Sequence, residues 1–139
     1  IDHCLVGSEM CIRDRRFNIR NGEKVFSVDH STLKPIILHK STITSINTDQ
    51  EIIGFNAING TEIWRSQKFK NRDITDLVLH DNRLYFGDFE GYIHEINPEN
   101  GMITGLVKTE LKSIKQIAIY SDKLIVQDTD GSISGFDLN

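Results

Sequence analysis

Cysteine, tryptophan, proline and long apolar runs are all scarce in this chain, and each scarcity removes a class of protein. The two cysteines, Cys4 and Cys11, both fall near the start. Their C-x6-C spacing fits neither a zinc site nor a redox motif, so free or incidental thiols are expected and a disulfide framework is not. Cys4 also lacks the small-residue run that precedes a bacterial lipidation cysteine. No stretch approaches the roughly 18 to 20 consecutive apolar residues that cross a bilayer as a helix. No basic segment followed by an apolar core opens the chain, so no secretory signal is expected within it. Lysine and arginine number 16 against 20 acidic residues, a formal net charge of −4, and no basic run exceeds two residues. Capture of nucleic acid or anionic lipid needs clustered cations and is excluded on that ground. What remains is 139 residues that are 38% hydrophobic and 26% charged, the composition of a soluble globular chain.

The chain does contain an internal repeat. Leu33–Asn56 (LKPIILHKSTITSINTDQEIIGFN), Ile74–Asn97 (ITDLVLHDNRLYFGDFEGYIHEIN) and Ile114–Asp137 (IKQIAIYSDKLIVQDTDGSISGFD) align without a gap. A period of about 40 residues is the spacing of propeller blades. Apolar residues coincide at Ile36/Leu77/Ile117, Leu38/Leu79/Ile119, Ile43/Leu84/Leu124 and Phe55/Ile96/Phe136. Each unit reads as short strands between turn signals, with no competing helical stripe. Strand A is expected at Ile36–His39, Leu77–His80 and Ile117–Tyr120, buried on both faces because its apolar run is nearly continuous. Strand B is expected at Thr42–Asn47, Arg83–Asp88 and Lys123–Asp128, and strand C at Ile52–Ala57, Tyr92–Asn97 and Ser132–Leu138. Strand D is expected at Glu62–Gln67 and, less distinctly, at Met102–Lys108.

Turn chemistry falls at matching register. Asn-Gly, which favours the positive φ of tight hairpins, joins C to D at Asn21-Gly22, Asn59-Gly60 and Asn100-Gly101. Glu90-Gly91 and Asp130-Gly131 join B to C, with Asp49-Gln50 as the departure. Gly22, Gly60, Gly91, Gly101 and Gly131 are therefore structural repeat positions, and the fold class is all-β: about three blades of four antiparallel strands from a β-propeller.

The register extends backwards, because FNIRNGEKVF from Phe17 matches FNAINGTEIW from Phe55, and it stops near Arg16. Residues 1–15 lack the alternation of a blade; CLVGSEMCIRDR resembles translated sequencing-adapter sequence, with a natural inter-blade insertion as the alternative. The expected organisation is thus a non-native leader (1–15) and a propeller fragment (16–139). The fragment divides into an outer strand of a partial blade (16–30), two blades (31–70 and 71–112) and a last blade lacking its outer strand (113–139).

Few residues suggest chemistry. Asp128-Thr-Asp-Gly-Ser132 starts like a calcium loop but lacks the distal bidentate glutamate, so a plain Asp-Gly hairpin is expected. His39 and His80 share a repeat position with Tyr120, while His30 and His94 have no partner at ligand spacing; surface or turn histidines are expected, with no metal site. Asn59-Gly-Thr61 fits a glycosylation sequon, which the turn requirement explains. No nucleophile elbow, P-loop or dinucleotide fingerprint is present.

GDFEGYIHEINPENGMITG (Gly87–Gly105) followed by KLIVQDTDGSISGFD (Lys123–Asp137), with FNAINGTEIW before them, resembles the last blades of the outer-membrane protein assembly factor B (BamB) family. The resemblance implies a non-catalytic, cofactor-free, eight-bladed scaffold of the outer-membrane β-barrel assembly (BAM) machinery on the periplasmic face of the bacterial outer membrane. It further implies binding to BamA POTRA domains and other BAM subunits, contact with unfolded outer-membrane proteins, and a lipid anchor in an N-terminal part outside this chain. In the related pyrroloquinoline-quinone-type repeat, Trp64 resembles the residue that docks adjacent blades, with Phe26 as its counterpart and Gly105 breaking the pattern. The rival reading is a quinoprotein dehydrogenase, whose hallmarks are adjacent cysteines, a tryptophan-rich motif in each blade and metal-binding Glu and Asn residues. A generic protein-binding propeller is a third.

Overall fold

The computed structural model describes residues 11–17, 20–32 and 34–138, which hold thirteen strands and no helix. β1 (Cys11–Phe17) pairs with β2 (Lys24–Thr32) in a two-stranded sheet. The first blade runs β3 (Ile37–His39), β4 (Thr42–Ile46), β5 (Ile52–Asn56) and β6 (Glu62–Ser66). The second runs β7 (Val78–His80), β8 (Arg83–Gly87), β9 (Tyr92–Ile96) and β10 (Ile103–Lys108), and the third β11 (Ile114–Tyr120), β12 (Lys123–Asp128) and β13 (Ile133–Asp137). Every pairing is antiparallel between neighbours in sequence, as short hairpin connections require. The chain is a partial propeller of antiparallel blades.

Strand β1 begins at Cys11, ahead of the expected boundary at Arg16, and pairs Arg13 with Asp29 and Arg15 with Ser27. Backbone pairing asks for extended chain and not for side-chain alternation, so the strand crosses a point where the repeat pattern fades. Residues 1–10, most of the expected leader and with them Cys4, lie outside the described residues.

One expectation about the strands needs correction. Strand A is not buried on both faces: Ile36 is 50% exposed, Leu38 61% and Tyr120 76%. In the middle blade the same strand is covered, with Leu77 4% exposed and Val78 and Leu79 packed against the core, so the exposure belongs to the two flanking blades. The Asn-Gly turns join strands C and D at the expected positions. Gly60 N–H donates to Asn56 O (2.8 Å) and Gly101 N–H to Asn97 O (2.8 Å), closing four-residue loops whose glycine alone has positive φ, 77° and 73°. A two-residue type I′ turn would need positive φ at the asparagine as well. That turn occurs between A and B, where His80 pairs with Arg83 across Asp81 (φ 47°) and Asn82 (φ 62°).

One apolar core runs through all three blades, from Ile46, Ile52 and Phe69 through Leu84, Phe86 and Ile96 to Ile114, Leu124 and Val126. Gly87 lets the second and third blades close: a Cβ there would overlap the side chain of Ile114. Blade stacking therefore supplies the burial that a single 40-residue sheet lacks.

Candidate functional site

The features that repeat from blade to blade are inter-blade locks and capped loops. At the outer rim, the Phe26 ring lies over Gly60 and the Trp64 indole over Gly101, close enough that a Cβ on either glycine would overlap the ring. Trp64 is 9% exposed, its indole is also apposed to Gly54, and its Nε1–H donates to Pro98 O at 2.9 Å. The aromatic of one blade thus sits on the Asn-Gly turn of the next. Lys40 reaches Glu99 across the same joint (3.0 Å), which holds the Glu99 carboxyl below its ordinary range.

At the B–C loops, an Asx side chain at one register organises all three turns. Asn47 Oδ1 accepts from Asp49 N and Glu51 N, Asp88 Oδ1 from Glu90 N and Tyr92 N, and Asp128 Oδ1 from Asp130 N and Ser132 N, at 2.9–3.0 Å. The position before Glu51, Tyr92 or Ser132 has positive φ in each case: Gln50 at 61°, Gly91 at 86° and Gly131 at 86°. The next backbone N–H, of Thr48, Phe89 and Thr129, donates to the carbonyls of Ser31, Arg72 and Ser113. In the Asp128 loop the first aspartate is committed to the backbone, which is how the Asp-Gly hairpin uses it.

The histidines are corrected from surface groups to buried ones. His30, His39 and His94 are 6%, 8% and 5% exposed. His30 Nε2 stands 2.7 Å from Ser45 Oγ, with its ring edge-on to Phe55. His94 Nε2 donates to Asp88 Oδ2 at 2.8 Å, and its ring stacks on Phe86 at 5.0 Å with Phe69 edge-on at 5.1 Å. Arg72 Nε lies 3.7 Å from the same Asp88 oxygen, and the carboxylate is fully buried. Aromatic packing draws the His30 and His94 rings inward because imidazole presents an apolar face to Phe55, Phe69 and Phe86, and His94 Nδ1 is buried there without a hydrogen-bond partner. His80 sits at the second A–B turn, 3.6 Å from Asp122 of the third blade.

In the first blade the capped loop adjoins a second buried carboxylate. Glu51 accepts from Asn47 Nδ2 (2.8 Å), Arg65 Nη1 (2.7 Å) and Gln67 Nε2 (2.7 Å), with Lys70 at 3.7 Å. The Asn47 hydrogen bond leads these in holding its carboxyl below the ordinary value, while burial opposes them. Both carboxylate networks fasten loops to strands and neither meets a nucleophile. Among the described residues, no three His, Cys, Asp or Glu groups gather as a metal site.

The repeat positions marked in the sequence thus lie at two ends of the blades: Gly22, Gly60, Gly101 and Trp64 at the outer C–D turns, Gly91 and Gly131 at the B–C turns. The Asx caps and buried histidines carried a sequence signal only at the caps, where Asn47, Asp88 and Asp128 fall in one column of the aligned units.

No family model matches the chain. Outer membrane protein assembly factor BamB of Shewanella oneidensis is 25% identical over 117 residues, covering 84% of this chain and 30% of that protein. BamB of Escherichia coli is 24% identical over the same length, and BamB of Marinobacter adhaerens 26% identical over 121 residues. The chain spans about 30% of the length of these curated relatives. In fold it matches the crystal structure of BamB from Moraxella catarrhalis with a TM-score of 0.78 and 21% identity, over 93% of this chain and 38% of that one. A quinohemoprotein alcohol dehydrogenase from Pseudomonas putida shares the fold at a TM-score of 0.64 and 14% identity, over 80% of this chain and 19% of that one. Relatives by sequence and a neighbour by fold converge on one name, and the chain is similar to the C-terminal part of outer membrane protein assembly factor BamB.

Proposed function

We propose that this chain is part of a non-catalytic scaffold on the periplasmic face of the outer membrane, where it docks on BamA POTRA domains and assists the folding and insertion of β-barrel proteins. The sequence relationship to several BamB proteins carries this reading. Supporting it, the buried carboxylates Glu51 and Asp88 are consumed in fastening loops, which leaves the loop tip at Phe89 (42% exposed) to meet a partner. The dehydrogenase reading rests on fold alone, over a small part of that enzyme.

The test is binding of the immobilised chain to the purified POTRA array of a BamA, measured by biolayer interferometry. Saturable association, competed by soluble full-length BamB, is the expected result. Absence of association with a POTRA array that does bind full-length BamB would remove this chain from the docking role. Quenching of Trp64 fluorescence by pyrroloquinoline quinone with calcium would favour the enzyme instead.

A further inference from the structure

Phe26 and Trp64 each close the outer rim of a blade joint, but the corresponding position of β10 is Gly105. The exchange is reciprocal. β5 and β6 pair Gly54 with Trp64, whereas β9 and β10 pair Glu95 with Gly105, so the bulky member has changed strands and become a carboxylate. Between the second and third blades this leaves a cavity of about 280 Å³ walled by Leu106, Val107, Leu124 and Phe136, with Glu95 and Asp137 also on its wall. The cavity continues the packed interface between those blades, since Leu124 belongs to the common core and Phe136 packs against it.

We propose that this cavity is a docking slot for one aromatic side chain, carried by an extended peptide segment with lysine or arginine beside the aromatic. The same chain shows what such a position accepts, an indole whose N–H donates to Pro98 O. Leu138 occupies the place of Pro98 in the aligned third unit and lines the cavity, so its carbonyl is the acceptor the proposal assigns. The charged groups on the wall are both carboxylates, which favour a cationic neighbour to the ring. Glu95 accepts from Thr104 Oγ1 at 2.6 Å, is hydrogen-bonded to Tyr85 on the same wall and lies 3.8 Å from Arg83, and Asp137 contacts Lys123; neither cation lines the cavity. β10 is the outermost strand of its sheet, so among the described residues no strand pairs its outer edge, and an extended segment can add to it by backbone hydrogen bonding. The slot goes beyond the scaffold role, and peptide binding and POTRA binding are separate measurements, so either can fail alone.

The test titrates the 139-residue chain into a dye-labelled peptide of alternating threonine and valine with a central tryptophan flanked by lysines, followed by fluorescence anisotropy. Saturable binding is expected, weakened about tenfold or more when the tryptophan becomes alanine and weakened again when the lysines become glutamates. Leu106→Glu, at a side chain 57% exposed, should reduce binding about tenfold or more, whereas Ile63→Glu, 48% exposed on β6, should leave it unchanged. Circular dichroism confirms that both variants keep the fold. Equal affinity for the tryptophan and alanine peptides, no binding at millimolar chain, or equal damage from Ile63→Glu would overturn the proposal. So would a dimer of the chain that Leu106→Glu dissociates in the absence of peptide binding, which would assign the edge to a second copy.

Discussion

Replacing Trp64 by alanine removes the one tryptophan of the chain from the joint between the first and second blades. The indole is 9% exposed, apposed to Gly54 and Gly101, and hydrogen-bonded to Pro98 O at 2.9 Å. Truncating a buried tryptophan costs about 3–5 kcal/mol, the lost contacts and the residual cavity together. With a urea slope of about 2 kcal/mol/M, as expected for a small chain, the unfolding midpoint should fall by about 1.5–2.5 M. Trp64→Phe keeps a ring over the turn and loses the N–H donor, so its cost should be nearer 1 kcal/mol. A double-mutant cycle isolates the joint. Gly101→Ala in the parent meets both a left-handed backbone, φ 73°, and the overlapping indole. In the Trp64→Ala background only the backbone cost of about 1–2 kcal/mol remains. Far-ultraviolet circular dichroism in urea gives all four midpoints. A Trp64→Ala shift below about 0.5 M, or costs that add to within about 0.5 kcal/mol, would show that the indole does not hold the two blades together.

Four further outcomes follow from the buried groups. Asp88→Ala leaves His94 and the N–H groups of Glu90 and Tyr92 without their acceptor, so it should cost about 3–5 kcal/mol. Asp128→Ala loses the equivalent loop bonds without a buried imidazole and should cost about 1–2 kcal/mol, both read from urea midpoints. Because the Glu51 carboxyl is held below its ordinary 4.5, its contribution is present above that pH and is lost as pH falls through the depressed folded value. The unfolding midpoint should therefore drop on acidification below about pH 4.5, and less so in Glu51→Gln. Burial first, and hydrogen bonding to Glu95 second, push the Tyr85 phenol up to about 12 from 10.0. The unfolded chain ionises first, so stability should be full below pH 10 and decline as pH rises towards 12, an effect absent from Tyr85→Phe and visible in phenolate absorbance during unfolding.

Strand positions were legible because each unit carries a two-residue alternation between turn signals, and these survive any amount of drift in individual side chains. Strand A misled because its run Ile36–Leu38 is apolar at every position, a pattern that cannot tell a strand covered by blades on both faces from one in a flanking blade. The tighter A–B turn at Asp81-Asn82 carries no glycine to announce it. The histidines were misplaced because their burial depends on rings brought from elsewhere: Phe69 precedes the second blade and packs on His94 only after the blades have stacked.

The exchange of Gly54 and Trp64 for Glu95 and Gly105 explains why a site of this kind hides from a repeat alignment. Column by column, Gly105 reads as a lost tryptophan and Glu95 as a polar substitution, two unrelated departures. Cross-strand register makes them one change, because a side chain at either position occupies the same side of the same pair. The consequence extends along the strand. β6 buries Trp64 and Ser66 and shows the ion pair of Glu62 with Arg65, whereas β10 has Ile103 and Leu106 at the two charged positions and Val107 beside them, 41%, 57% and 52% exposed. A scattered exposed apolar residue needs no account, but Leu106 and Val107 both line the cavity on an edge that no strand pairs among the described residues. Charging that edge at Leu106 should therefore cost the fold little and cost an extended ligand much, a separation between stability and binding that a purely structural strand would not show.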